Sequence, residues 1–225
     1  MRYYKLTFSN SIKEIGAFPQ SEDCILGDIQ QDFIPLEGII DIDFKLPEPI
    51  LEKKAKRTSY IKVVAISDFL VINDDLLGFL KKFNIGNHQD WKIKVWQNKQ
   101  LLPNYNLFFI NDVKQDTYID FSNSEFYSKK LGDWDNSSVQ QSVLVNDYHE
   151  YLFEKEKLRK DKLLLLHHKV TLNLSKTNED MFRFVNVSPN GYFVSEKLKN
   201  AIEENGFTGI EFIEVSELDK VEVIY

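Results

Sequence analysis

A chain of 225 residues, 43% hydrophobic and 13% aromatic, is long enough to bury a core and too apolar to stay disordered. Apolar runs such as residues 163–166 fall far short of a bilayer span, and 35 acidic against 28 basic residues give a net charge of −7, which speaks against nucleic-acid binding. The one cysteine, Cys24, excludes an intramolecular disulfide and is a poor start for a zinc site. With no apolar leader segment at the start, a cytoplasmic protein is expected, without cofactor and touching neither membrane nor nucleic acid.

Residues 4–8 alternate apolar and polar, as on a strand with one wet face. Residues 9–36 read as irregular, with Gly16, Pro19, Gly27 and Pro35. Residues 40–46 are the cleanest period-2 run, and Pro47-Glu48-Pro49 should end that strand. Residues 51–58 suggest a solvated loop or short helix, and 60–66 another strand. Asn73 is a good N-cap, with Asp74 and Asp75 in the first turn, an apolar face of Leu76, Leu77, Phe79, Leu80 and Phe83, and Gly86 as a stop. Strands are expected at 91–95 and 106–113, with 118–121 paired beside them, and a long polar loop at 123–141. A helix over 147–162 and strands at 163–174 and 181–187 follow. Ser195 caps a short helix bearing Leu198, Ala201 and Ile202, Gly206 ends it, and 210–215 forms the last strand. The pattern predicts an α+β fold: a mixed, mostly antiparallel sheet with a few short helices.

Residues 69–76 and 192–198 echo each other. Each has an apolar strand end, a polar cap, an acid and a Leu three residues past the cap, then a helix, a Gly and an alternating strand. These two β-α-β-like units are either an old duplication or the form any strand-cap-helix unit takes.

No Gly-rich phosphate loop, nucleophile elbow or His-Glu-x-x-His helix is present. Asp41 and Asp43 stand two apart and would share a strand face, where they could hold a divalent metal or simply form the wet side. His167 and His168 are adjacent, so on a strand they face opposite ways. No metal ligand set is assigned. Asp133, Trp134 and Asp135 lie in a polar stretch with Tyr148 and Tyr151 close behind. They could anchor a partner or pin the stretch onto the domain.

The segment 191–215 resembles the closing motif of bacterial immunity proteins from polymorphic toxin systems, in the sister families numbered eleven and forty-three. Val194, Ser195, Glu196, Leu198, Ile202, Gly206, Thr208, Gly209, Ile210 and Phe212 carry the likeness. Upstream, 106–113 followed by 118–124 looks like the family's aromatic strand and acid-and-Ser turn, with Asp120 and Ser124 in place. Phe108 and Phe109 stand where the family often has tyrosines, and Phe182 and Arg183 match its Phe-Arg-hydrophobic strand. The likeness spans 67–215, within one domain of 1–225 whose first 66 residues are rich in strands. It implies an immunity protein that occludes a cognate toxin. The motif positions look structural, among them Ser195, Gly206 and Gly209, and no catalytic residue carries over. Net charge suits a basic toxin such as a nuclease. A metal-dependent hydrolase using Asp41 and Asp43, and a non-catalytic scaffold subunit, are the competing readings.

Overall fold

The computed structural model describes residues 1–25, 28, 37–66, 68–132 and 140–225. The chain opens with β1 (Tyr3–Phe8), α1 (Ile12–Ile15), β2 (Ser21–Ile25), β3 (Glu48–Leu51) and β4 (Tyr60–Ile61). Next come β5 (Leu70–Asn73), α2 (Asp74–Leu80), β6 (His88–Gln97), β7 (Gln100–Ile110), α3 (Gln115–Tyr118) and β8 (Ile119–Lys130). After β9 (Gln141–Val143) and α4 (Tyr148–Lys160) follow β10 (Leu163–Asn173), β11 (Met181–Phe184) and β12 (Gly191–Ser195). The chain closes with α5 (Glu196–Glu204), β13 (Ile210–Glu214) and β14 (Val221–Ile224). The expected α+β class holds. Pairing is antiparallel except between β3 and β6 and between β10 and β14.

The strands form three sheets, ordered β11-β12-β1-β13, β14-β10-β8-β9 and β2-β3-β6-β7-β5-β4. The first lies between the others. One face carries Tyr3, Phe182, Phe184 and Phe193 into a core shared with Phe121, Phe126, Val170, Leu172 and Tyr151 of α4. Its other face carries Leu6, Tyr192 and Val194 into a core shared with Leu70, Ile72, Phe108 and the buried sides of α2 and α5. A third core covers the far face of the six-stranded sheet, with Ile61, Val71, Val95, Leu107 and Phe109.

The echo seen in sequence extends to topology. The first unit runs β4, β5, α2, β6 and is ordered β4-β5-β7-β6 in its sheet; the second runs β11, β12, α5, β13 and is ordered β11-β12-β1-β13. In both, the strands before and after the helix flank one central strand antiparallel to each. The caps match too: the Asn73 side chain accepts from the Leu76 N–H at 2.9 Å, and Ser195 Oγ from the Leu198 N–H at 3.1 Å. The central strand differs in origin. β7 follows β6 directly, whereas β1 comes from the start of the chain.

Several expectations fail for physical reasons. Residues 40–46 form no strand: Ile40 is buried and Phe44 and Leu46 pack on the third core, but the Ile40 backbone bonds to the Gln89 side chain, not to a ladder. Pro47-Glu48-Pro49 does not close a strand there; β3 begins at Glu48. From 60–66 only Tyr60–Ile61 is strand, and a 3-10 turn, Val64–Ile66, follows. α2 stops at Leu80 with Lys81 as its C-cap, well before Gly86. Much of the expected loop 123–141 is strand, since β8 runs to Lys130 and β9 starts at Gln141. The polar residues there build a bulge. Asp120 accepts from Ser122 Oγ (2.7 Å) and from the Asn123 N–H (3.1 Å), while Ser124 Oγ accepts from the Thr171 N–H (3.0 Å) at a register shift against β10.

Candidate functional site

The proposed partner surface divides three ways. Asp133, Trp134 and Asp135 lie outside the described residues. Tyr151 is 5% exposed and sits in the first core, its ring against Phe121 and Phe126 and its hydroxyl donating to the Asn186 carbonyl at 3.0 Å. Its place is that of a packing residue, because a ring enclosed in this way offers no area to a partner. Tyr148, on the first turn of α4, is half-buried and reaches a cleft.

Asp147 starts α4 by accepting from the Glu150 N–H at 2.7 Å, and Glu150 accepts in return from the Asn146 N–H at 2.7 Å. That cap fixes the direction of Tyr148. Its hydroxyl donates to Glu37, and accepts from Gln115 Nε2 and Asn186 Nδ2, each at 3.0 Å. Asn186 Nδ2 also reaches Glu37 at 2.8 Å. Burial, and then the Glu37 carboxylate, push the Tyr148 phenol up to about 12, so it stays a neutral donor at pH 7. Gln115 is wholly buried and holds the Val185 N–H at 3.3 Å. Asn186 adopts φ 63°, a left-handed conformation that asparagine tolerates better than most residues. The cluster ties four distant segments together.

Around it lies a cleft of about 400 Å³ lined by Glu37, Val113, Asp116, Asp147, Tyr148 and His149. A second, of about 260 Å³, adjoins it through Glu37 and Val113 and adds Asp112 and Asn111. Four carboxylates therefore border one concave region. The Lys114 ammonium beside it is engaged by Asp112 at 2.7 Å and Glu179 at 3.2 Å. Such a surface can hold cationic groups. Glu37, Gln115 and Asn186 escaped sequence reasoning, because nothing local marks residues that meet across as many as 149 positions.

The remaining candidates fall elsewhere. Asp41 and Asp43 are both exposed on the irregular 41–47 segment. Among the described residues no three His, Cys, Asp or Glu side chains come together as a metal site, and no helix is long and apolar enough to cross a membrane. His168 stacks on Tyr127 at 4.0 Å, whereas His167 is half-buried. Burial pushes the Cys24 thiol up to about 11, which keeps it protonated and unreactive.

The motif residues fold the C-terminal unit. Ser195 is fully buried and caps α5. Gly206, φ 68°, follows the C-cap Asn205. Gly209, φ 83°, passes so close to β4 that a Cβ there would lie 2.1 Å from the Tyr60 carbonyl oxygen. Thr208 accepts from the Tyr60 N–H at 3.0 Å, and Gly209 donates to Glu14 Oε1 at 2.5 Å. Deep inside, the Arg183 guanidinium lies 4.0 Å from the Phe109 ring centre and donates to the Asp68 carbonyl at 3.4 Å. No family model and no curated protein sequence matches this chain.

Proposed function

We propose that this chain is an immunity protein that binds a cognate bacterial toxin in the cytoplasm and blocks it by occlusion, without turnover. The observation that carries the reading is the 191–215 motif: a strand, a Ser cap, a short helix, a left-handed Gly and a Thr-Gly turn into a last strand. Its likeness to immunity families is the argument for the class. The cleft adds an argument for the partner's charge. Glu37, Asp112, Asp116 and Asp147 border it, and acids so arranged select a basic partner and speed encounter. Tyr148 contributes a ring held by hydrogen bonds, which offers contact area at low entropic cost.

The test is genetic and then biochemical. A toxin gene adjoining this one is expressed with and without the chain. Rescue of growth and recovery of an equimolar complex are the expected results. If the intact protein neither rescues growth nor co-purifies with that toxin, the reading fails.

A further inference from the structure

The repeated topology exposes an unfilled position. β13 is the edge of its sheet, paired with β1 from Phe8↔Ile210 to Tyr4↔Glu214. Among the described residues no strand lies on its other side. Its counterpart in the first unit, β6, is not an edge. There β3 adds in parallel, with Ile50 against Trp96 and Leu51 against Gln97. The unit therefore accepts a strand at this place in one half of the molecule and leaves the place open in the other.

An open edge is a template for another chain, and proteins commonly block it with lysine, proline or a bulge. β13 reads Ile-Glu-Phe-Ile-Glu, with neither lysine nor proline, and its register against β1 is unbroken. Ile213 is 39% exposed. A two-fold dimer joined through this edge would be antiparallel. Facing residues share a side of the sheet, so its two-fold axis passes through a residue; centred on Phe212 it would set Glu211 against Ile213 and Ile210 against Glu214 of the second copy, which leaves both acids without a basic partner. The same acids favour a strand that carries lysine or arginine.

We propose that the open edge of β13 takes up an extended segment of the toxin, with basic side chains beside Glu211 and Glu214. Backbone hydrogen bonds would give affinity and the flanking charges register. This rests on the immunity reading. Hydrogen exchange read by mass spectrometry tests it, on the full chain alone and with the purified, catalytically inactivated toxin domain from the adjoining gene. The amides of 210–214 should gain protection in the complex. Glu214→Lys should weaken binding by about tenfold or more at an unchanged melting temperature. Its contacts with Arg2, at 3.9 Å, and with Ser216 Oγ, which donates to it at 2.8 Å, are solvent-accessible and contribute little to stability. Glu211 is left in place because it holds Ser9 Oγ at 3.0 Å and the Asn10 N–H at 2.8 Å. Toxin that binds while 210–214 exchange as before and Glu214→Lys binds normally overturns the edge assignment and spares the immunity reading. Toxin that does not bind removes both. Protection of 210–214 in a concentration-dependent dimer of the chain alone would make the edge a self-interface and overturn the proposal.

Discussion

Replacing Ser195 by alanine should cost far more than the loss of a helix cap. The cap itself, accepting from the Leu198 N–H at 3.1 Å, contributes about 1 kcal/mol. The same hydroxyl donates to Asp180 Oδ1 at 2.9 Å, and Asp180 is 4% exposed. The other carboxylate oxygen takes the Asn84 N–H at 3.1 Å and Lys197 Nζ at 3.0 Å. Alanine therefore leaves Oδ1 of a buried carboxylate without its serine donor, and a hydrogen bond to a charged group contributes about 1.5–3 kcal/mol. Together Ser195→Ala should destabilise by about 2.5–4 kcal/mol, a large share of the stability of a typical domain. The first unit supplies the control. Asn73 caps α2 by accepting from the Leu76 N–H at 2.9 Å, with no buried acid behind it, so Asn73→Ala should cost about 1 kcal/mol. Urea unfolding at pH 7, with both variants compared at equal m-value, reads the difference. Equal costs of about 1 kcal/mol for the two would refute the role assigned to Asp180.

Gly209→Ala should cost more than about 3 kcal/mol or prevent folding, because φ is 83° and the new methyl would strike Tyr60 and Thr58, whereas Gly206→Ala, at φ 68° in open space, should cost about 1 kcal/mol by calorimetry. Burial holds the His167 imidazole below its ordinary value, so folding favours the neutral ring. Its contribution is complete above about pH 6.5 and is lost as pH falls from there through the folded value; His167→Gln should flatten the stability–pH curve in that window, and an unchanged slope would refute it. Tyr151→Phe should lose about 1 kcal/mol of stability with its bond to Asn186 and keep full protection against the toxin. Tyr148→Phe, which strips the hydroxyl shared by Glu37, Gln115 and Asn186, should lower the toxin dose that cells survive. Unchanged protection would remove the cleft from the contact surface.

Local chemistry was legible and long-range assembly was not. The caps at Asn73 and Ser195 could be read because a side chain three residues from the N–H it accepts is a local event. Alternation marked 4–8 and 91–95 correctly, yet the same pattern at 40–46 gave no strand. Period 2 reports one apolar face, and Ile40, Phe44 and Leu46 use that face to cover a sheet without joining its ladder. The reverse error came at 123–130, where serine and asparagine satisfy a bulge inside β8 and resemble a loop in composition. Of the cleft, only Tyr148 was foreseen. Gln115 and Asn186 are ordinary polar residues in sequence, and their role exists only once α3, α4 and the turn after β11 converge.

Half of the residues that carry the C-terminal motif face inward, and this bears on what they can encode. Val194, Ser195, Leu198, Ile202 and Gly209 are buried, and Thr208 bonds to the backbone of Tyr60. Between them they shape α5 and fasten the second unit to the edge of the first. Residues so placed cannot read the surface of a partner, since any side chain that contacts one must reach solvent first. A motif of this kind can therefore recur in proteins that neutralise different toxins. Discrimination among toxins would belong to positions that the fold leaves open: the acids around Tyr148, and the backbone and glutamates of β13. Substitutions in the two groups should separate cleanly. Those at the buried motif positions should change how much folded protein a cell contains and leave the choice of toxin alone. Those on the open positions should change affinity at constant stability.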